Sequence, residues 1–249
     1  MKYLITLICL AIATIGRGQD QDNFDKATTL YQKGDYTQAA AVYSSILKSG
    51  KESSALYYNL GNTYYKLNNV PESIYYYEKA LQLDPENADA KNNLIFANQM
   101  KVDAITPLPK TWVRQLSDGI VGLFSAHTWA VLSIIGVFAF VLSFLLYYFV
   151  ERTALKRTFF SLMLVFLFFA VGSYTLAHFC HKQVSQTQYA ILFDKTVRVF
   201  SDANAYSSEV MQLHEGTKVE IIEDAKDWVK IRLVNGKTGW TKVGSLKKL

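Results

Sequence analysis

The chain has 249 residues, half of them hydrophobic, and a formal net charge of +5. That excess is dispersed: residues 19–110 carry nine basic and eleven acidic groups, and residues 189–249 carry ten and eight. No segment forms the basic patch that neutralising a phosphate backbone requires, so nucleic acid is excluded as a partner.

The first segment, residues 1–18, reads as a signal peptide. Lys2 precedes an apolar run from Tyr3 to Ile15 that is too short to span a bilayer, and the small residues Gly16 and Gly18 place cleavage before Gln19. The rival reading is a lipoprotein anchor on Cys9, against which stands the bulky Ile8 before it.

Residues 19–101 carry an internal repeat. Leu56–Asn87 holds seven of the sixteen tyrosines, and shifting the sequence by about 34 residues explains them. Gly34 falls on Asn68, Ala39 on Ser73, Tyr43 on Tyr77, Leu47 on Leu81 and Ala27 on Gly61. Helices are predicted near 22–33, 36–49, 54–67 and 71–83, with Pro71 suited to a first turn and Pro85 to an exit. A fifth helix over 87–101 closes the array as a cap. The pattern resembles the tetratricopeptide repeat (TPR), in two copies at about 20–53 and 54–87. The second copy carries it on Tyr57, Leu60, Gly61, Tyr64, Ser73, Tyr77, Ala80 and Pro85, while the first has Asn23 and Lys26 at two usually apolar places. These eight positions are read as packing.

Other residues of the repeat are left over. Tyr58, Asn62 and Tyr65 recur at i, i+4 and i+7, on the face opposite the packed one. In TPR arrays the corresponding face lines a concave groove for a partner peptide, so the resemblance implies a groove of Tyr58, Asn62, Tyr65 and Lys66 extended by Asn92, Asn93 and Phe96. The alternative is that these are ordinary solvated positions.

Residues 102–126 read as a linker and stem. Lys101–Trp112 contains two prolines, and Trp112, Leu116, Ile120 and Leu123 then recur at helical spacing, as in a stretch lying on a membrane surface. From Gly119 to Val150, and again from Thr158 to Cys180, there is no aspartate, glutamate, lysine or arginine, and only His127 and His178 could be charged near neutral pH. Each run exceeds the roughly 20 apolar residues a transmembrane helix needs, and spans are predicted at 127–150 and 158–180. Arg152, Lys156 and Arg157 make the loop 151–157 cytoplasmic, which puts both flanking regions on the far side, the periplasm of a bacterium. The spans lack acidic, lysine or arginine side chains, which argues against a pump or pore. His178, Cys180 and His181 at the outer boundary are three metal-ligand types without a fourth, so no metal site is assigned.

From Tyr189 the texture changes to short alternating strands, at 218–222, 228–234 and 238–243, with Asn235-Gly236 as a two-residue hairpin signal. Residues 189–249 resemble the bacterial SH3-like domain: Gly216 at a turn, Trp228 opening a strand, and Gly236 and Gly239-Trp240 in a Gly-x-x-Gly-Trp run. Both tryptophans are read as structural, because so small a barrel has few other large side chains. Such domains bind cell-wall peptides or proteins, or merely pack beside neighbours.

The predicted architecture is therefore a multidomain membrane protein: an all-α TPR array, a two-helix transmembrane hairpin and an all-β SH3-like barrel. That order resembles BatE, the TPR protein family of the Bacteroides aerotolerance operon. The resemblance implies a membrane-bound scaffold working beside von Willebrand factor type A proteins. No nucleophile–base pair, phosphate-cradling loop or cofactor motif is present, so no enzyme and no cofactor are expected. Two readings stand: a scaffold for protein partners, or a sensor or tether that grips peptidoglycan through the SH3-like domain.

Overall fold

The computed structural model describes residues 21–109 and 111–249. The expected signal peptide and Cys9 lie outside them. The described chain divides into two compact units, one built from the residues up to Pro107 together with Gln188–Leu249, the other from Leu108–Thr187.

The first unit opens with five helices: α1 over 21–32, α2 (Tyr36–Lys48), α3 (Ser54–Lys66), α4 (Val70–Leu83) and α5 (Ala88–Gln99). Side-chain caps start three of them: Asp35 accepts from the Gln38 amide, Ser53 from Leu56 and Asn87 from Ala90. Each cap satisfies one of the amides that a first helical turn leaves unpaired. Gly34 and Asn68, equivalent under the 34-residue shift, both take left-handed backbone, at φ +83° and +57°. The same closure follows each: Asp35 N–H donates to Leu30 O, and Asn69 N–H to Tyr64 O.

Packing repeats as well. Tyr43 and Tyr77 are each 1% exposed, and their hydroxyls reach Thr28 and Asn62, again one repeat apart. Gly61 is small because α4 crosses it closely: a Cβ there would lie 2.6 Å from the Tyr77 ring. Ser73 is buried at the same crossing and donates to Gly61 O at 3.1 Å. Of the other pattern residues, Tyr57, Leu60 and Ala80 are buried, Tyr64 is partly buried, and Pro85 is exposed.

Seven strands complete this unit: β1 (Gln188–Leu192), β2 (Thr196–Phe200), β3 (Glu209–His214), β4 (Lys218–Ala225), β5 (Trp228–Arg232), β6 (Thr238–Lys242) and β7 (Leu246–Lys248), with a 3-10 turn at Val243–Ser245. They form one antiparallel sheet in the order β3-β2-β6-β5-β4-β1-β7. Its core is aliphatic: Ala190, Leu192, Val197, Val199, Leu213, Val219, Val229, Ile231 and Leu233. The two tryptophans are not in it. Trp228 and Trp240 are half-buried at the margin, where Trp228 meets Phe200 edge-on and Lys230 lies over Trp240. Gly239 is buried, and a Cβ there would sit 2.5 Å from Val199 Cγ1. The β5–β6 hairpin is wider than the two-residue loop expected: Leu233 N–H donates to Lys237 O, and only Gly236 in it has positive φ. A two-residue type I′ loop needs positive φ at both central positions, which Asn235 does not adopt.

The helical array and the barrel are not separate. Strand β1 is buried on both faces over its last three residues, Ala190, Ile191 and Leu192. Ala190 and Leu192 enter the barrel core, whereas Ile191, fully buried, belongs to the core of the helices, with Phe193 and Leu249 packed against it. Lys218 Nζ pairs with Glu78 on α4 at 2.7 Å. Lys247 Nζ stands 4.0 Å over the Tyr75 ring and 5.4 Å over Tyr76, a cation–π seat for the barrel's last strand. Residues 101–107, expected to be linker, take part: Asp103 accepts from the His214 amide (2.7 Å), His214 Nδ1 (2.8 Å) and Thr217 Oγ1 (2.7 Å).

The second unit holds α6 (Trp112–Val121), α7 (Ala126–Phe149) and α8 (Thr153–Gln186). Helices α7 and α8 pack as an antiparallel pair. At the crossing of Gly136 on Ala170 an added Cβ would lie 3.0 Å away, and Ser133 Oγ donates to Ala170 O. Both are long and apolar enough to cross a membrane. Helix α8 is longer than the predicted 158–180, because helical hydrogen bonding begins at the connection itself, with Lys156 N–H donating to Arg152 O. The basic residues expected in a loop thus sit at a tight turn (Arg152) and on the first turns of α8 (Lys156, Arg157).

Candidate binding clefts

Two of the clefts in the first unit bring aromatic and polar or charged side chains together. The smaller, about 290 Å³, lies on the helical array and is lined by Tyr31, Tyr58, Asn62, Tyr65, Lys66, Tyr77, Asn93 and Phe96. Helix α3 supplies four of these because i, i+4 and i+7 share one face. Helices α1, α4 and α5 supply Tyr31, Tyr77, and Asn93 with Phe96.

A hydrogen-bond network orients its polar groups. Tyr77 donates its hydroxyl to Asn62 Oδ1 at 2.6 Å, and Asn93 Nδ2 donates to the same oxygen at 2.8 Å and to Tyr58 Oη at 3.3 Å. The carbonyl end of Asn62 is thereby used by two donors, which leaves its N–H groups for a ligand. The N–H groups of Asn93 are used in turn, which leaves its carbonyl oxygen. One donor and one acceptor between aromatic rings match the C=O and N–H of an extended peptide. Burial, with neighbouring tyrosines adding to it, raises the Tyr31 pKa, and burial likewise raises that of Tyr77, so both act as neutral phenols. Lys66 is the sole cation in the lining, short of the basic cluster that a carboxylate clamp uses.

Of the seven groove residues read from the sequence, six line this cleft. Asn92 is exposed and does not. Tyr31 and Tyr77 join the lining. The 34-residue shift could have identified Tyr31, since it is the repeat-equivalent of Tyr65. Tyr77 combines two roles, its ring filling the core and its hydroxyl reaching the cleft edge.

The larger cleft, about 750 Å³, lies on the barrel among the β1–β2 turn, the β2–β3 loop, the β4–β5 turn and the 3-10 turn. Asp194, Asp227, Lys226 and Lys242 bring two carboxylates and two ammonium groups around Trp228. Lys226 holds φ +50°, which the tight β4–β5 turn imposes. Trp228 was read as structural, and its partly open ring now also forms cleft wall. None of the charged residues belongs to a sequence motif; the β1–β2 turn, the β4–β5 turn and the end of β6 bring them together. Among the described residues no group of three or more histidine, cysteine, aspartate or glutamate side chains could hold a metal ion.

Comparison with protein families agrees with this division. Residues 24–88 match the tetratricopeptide repeat family and residues 195–247 match the bacterial SH3 domain family. A search of curated proteins finds no match. The chain therefore combines TPR repeats with a bacterial SH3 domain, domains that suggest roles in binding proteins or peptidoglycan.

Proposed function

We propose that this protein is a non-enzymatic, membrane-anchored adaptor that holds an extended segment of a partner protein in its TPR cleft. The observation that carries this reading is the Asn62–Asn93 pair, whose network leaves one amide donor and one amide acceptor between Tyr58, Tyr65 and Phe96.

Two features support the anchoring. Helices α7 and α8 have the length and composition of membrane spans. The regions before and after them share one core through Ile191, which supports their lying on one side of the membrane, as two spans require. Arg152, Lys156 and Arg157 at the α7–α8 connection orient that turn to the cytoplasm and the TPR–SH3 unit to the periplasm. The domain order is similar to BatE, and on that similarity the partner is a von Willebrand factor type A protein of a Bat-type aerotolerance complex.

A photo-crosslinking residue at Tyr65 in intact cells tests the reading, with exposed Gln82 as control. Capture of one defined membrane or periplasmic protein from position 65, absent from position 82, is the expected result. Equal or no capture from the two positions removes the TPR cleft from the function.

The barrel cleft favours a second reading, a peptidoglycan tether, since its mixed carboxylates and ammonium groups suit a zwitterionic wall peptide. Its test is sedimentation of the detergent-solubilised full chain with purified cell wall, against Trp228→Ala. The isolated barrel is unsuitable, because it would expose Ile191, Phe193 and Leu249.

A further inference from the structure

We infer that α6 is a membrane-interface helix, with the edge bearing Trp112, Leu116 and Ile120 seated in the headgroup–acyl boundary of the lipid. The inference rests on the reading of α7 and α8 as membrane spans. Those three residues are 75%, 58% and 41% exposed, and Leu123 and Phe124, 65% and 46% exposed, carry the apolar surface on to the start of α7. The spacing i, i+4, i+8 gathers Trp112, Leu116 and Ile120 on one edge of the helix. Among the described side chains Arg114 and Ser117 lie away from that edge, and the Ser117 hydroxyl is turned back to Arg114 O.

The attachment of α6 fixes its depth. Val121, on the opposite side of the helix from Trp112, accepts at its carbonyl from Trp129 Nε1 (3.4 Å) and Cys180 Sγ (3.6 Å). Trp129 is in the first turn of α7, and Cys180 lies just before the end of the apolar span at Lys182. Helix α6 is therefore pinned through its last turn at the level where both spans meet the bilayer boundary. An amphipathic helix held at that depth, with a tryptophan, a leucine and an isoleucine on its free edge, matches lipid rather than water or another helix.

Spin labels test this on the full chain in nanodiscs, with Cys9 and Cys180 replaced by serine and single cysteines at Leu116→Cys, Arg114→Cys and Phe138→Cys. Phe138 is 71% exposed on α7 and reports the span itself. Collision with oxygen is expected to dominate at 138 and 116, and collision with a water-soluble nickel chelate at 114, the nickel rate at 116 being several-fold lower than at 114. Nickel access at 116 with 138 protected overturns the inference while leaving the spans intact. Protection of 116 from both reagents overturns it too, showing the edge covered by protein, a second copy included. Nickel access at 138 removes the spans and the inference with them. Quenching of Trp112 fluorescence by brominated lipid, taken as the difference between the native chain and Trp112→Phe, reads the same contact without introduced cysteines.

Discussion

Asp103 illustrates how much one side chain decides. Burial alone would raise its pKa, but hydrogen bonds from His214 and Thr217 outweigh burial and hold the carboxyl below the usual aspartate range. A depressed folded-state pKa contributes stability that is present above the unfolded value and lost as pH falls through the folded one. The chain is therefore expected to lose stability on acidification below about pH 4, and Asp103→Asn should flatten that part of the profile while costing about 1–3 kcal/mol at neutral pH. Tryptophan-detected melting across pH, on the detergent-solubilised chain, measures both. Two glycines separate strain from contact in the same way. Gly34→Ala meets only the strain of φ +83°, with nothing within 4 Å, and should cost about 1 kcal/mol. Gly216→Ala meets similar strain at φ +81°, and its Cβ also reaches Val70 Cγ1 at 3.1 Å and Ile74 Cδ1 at 3.2 Å. It should cost more and loosen the barrel from the helices, visible as new protease cleavage between them.

At the scale of elements, α3 and α4 form one packing problem with two outputs. Their crossing is held by Gly61 against Tyr77, and the Tyr77 hydroxyl then sets Asn62 in the cleft. Tyr77→Ala should cost about 3–5 kcal/mol by the cavity it leaves. Tyr77→Phe keeps the ring and should cost only about 1 kcal/mol. It releases one of the two donors on Asn62 Oδ1, so the crosslinking yield at Tyr65 should fall by more than the change in melting temperature implies. An unchanged yield would disconnect Asn62 from partner binding.

For the whole molecule, the shared core predicts that helices and barrel unfold together. Ile191→Ala should cost about 2–4 kcal/mol and lower the stability of both, though the residue belongs to a strand. A chain ending at residue 187 should show its TPR helices cut faster by protease, because Ile74, Tyr75 and Tyr76 lose the β1 and β7 side chains that cover them. Hydrogen exchange that opens the barrel strands while the TPR helices stay protected would contradict the shared core.

Helix spans and repeat register were legible in the sequence because they depend on local periodicity: a 34-residue shift and i/i+4 faces are short-range facts. The groove face of α3 followed from the same spacing. Aliphatic filling of the barrel, with its tryptophans at the margin, was not legible, because which ring is covered depends on strands far apart in sequence. The largest omission was the docking of the barrel on the helices. Its signal was present in Ala190–Phe193, an unbroken apolar run of the kind that marks a strand buried on both faces. The run alone does not say what lies on its second face. Only the tertiary structure brings residues 70–103 and 189–249 together across about eighty intervening residues. Polar pairs such as Lys218–Glu78, a cation–π seat and the side chains of Ile191, Phe193 and Leu249 make that contact, and none of them leaves a periodic trace.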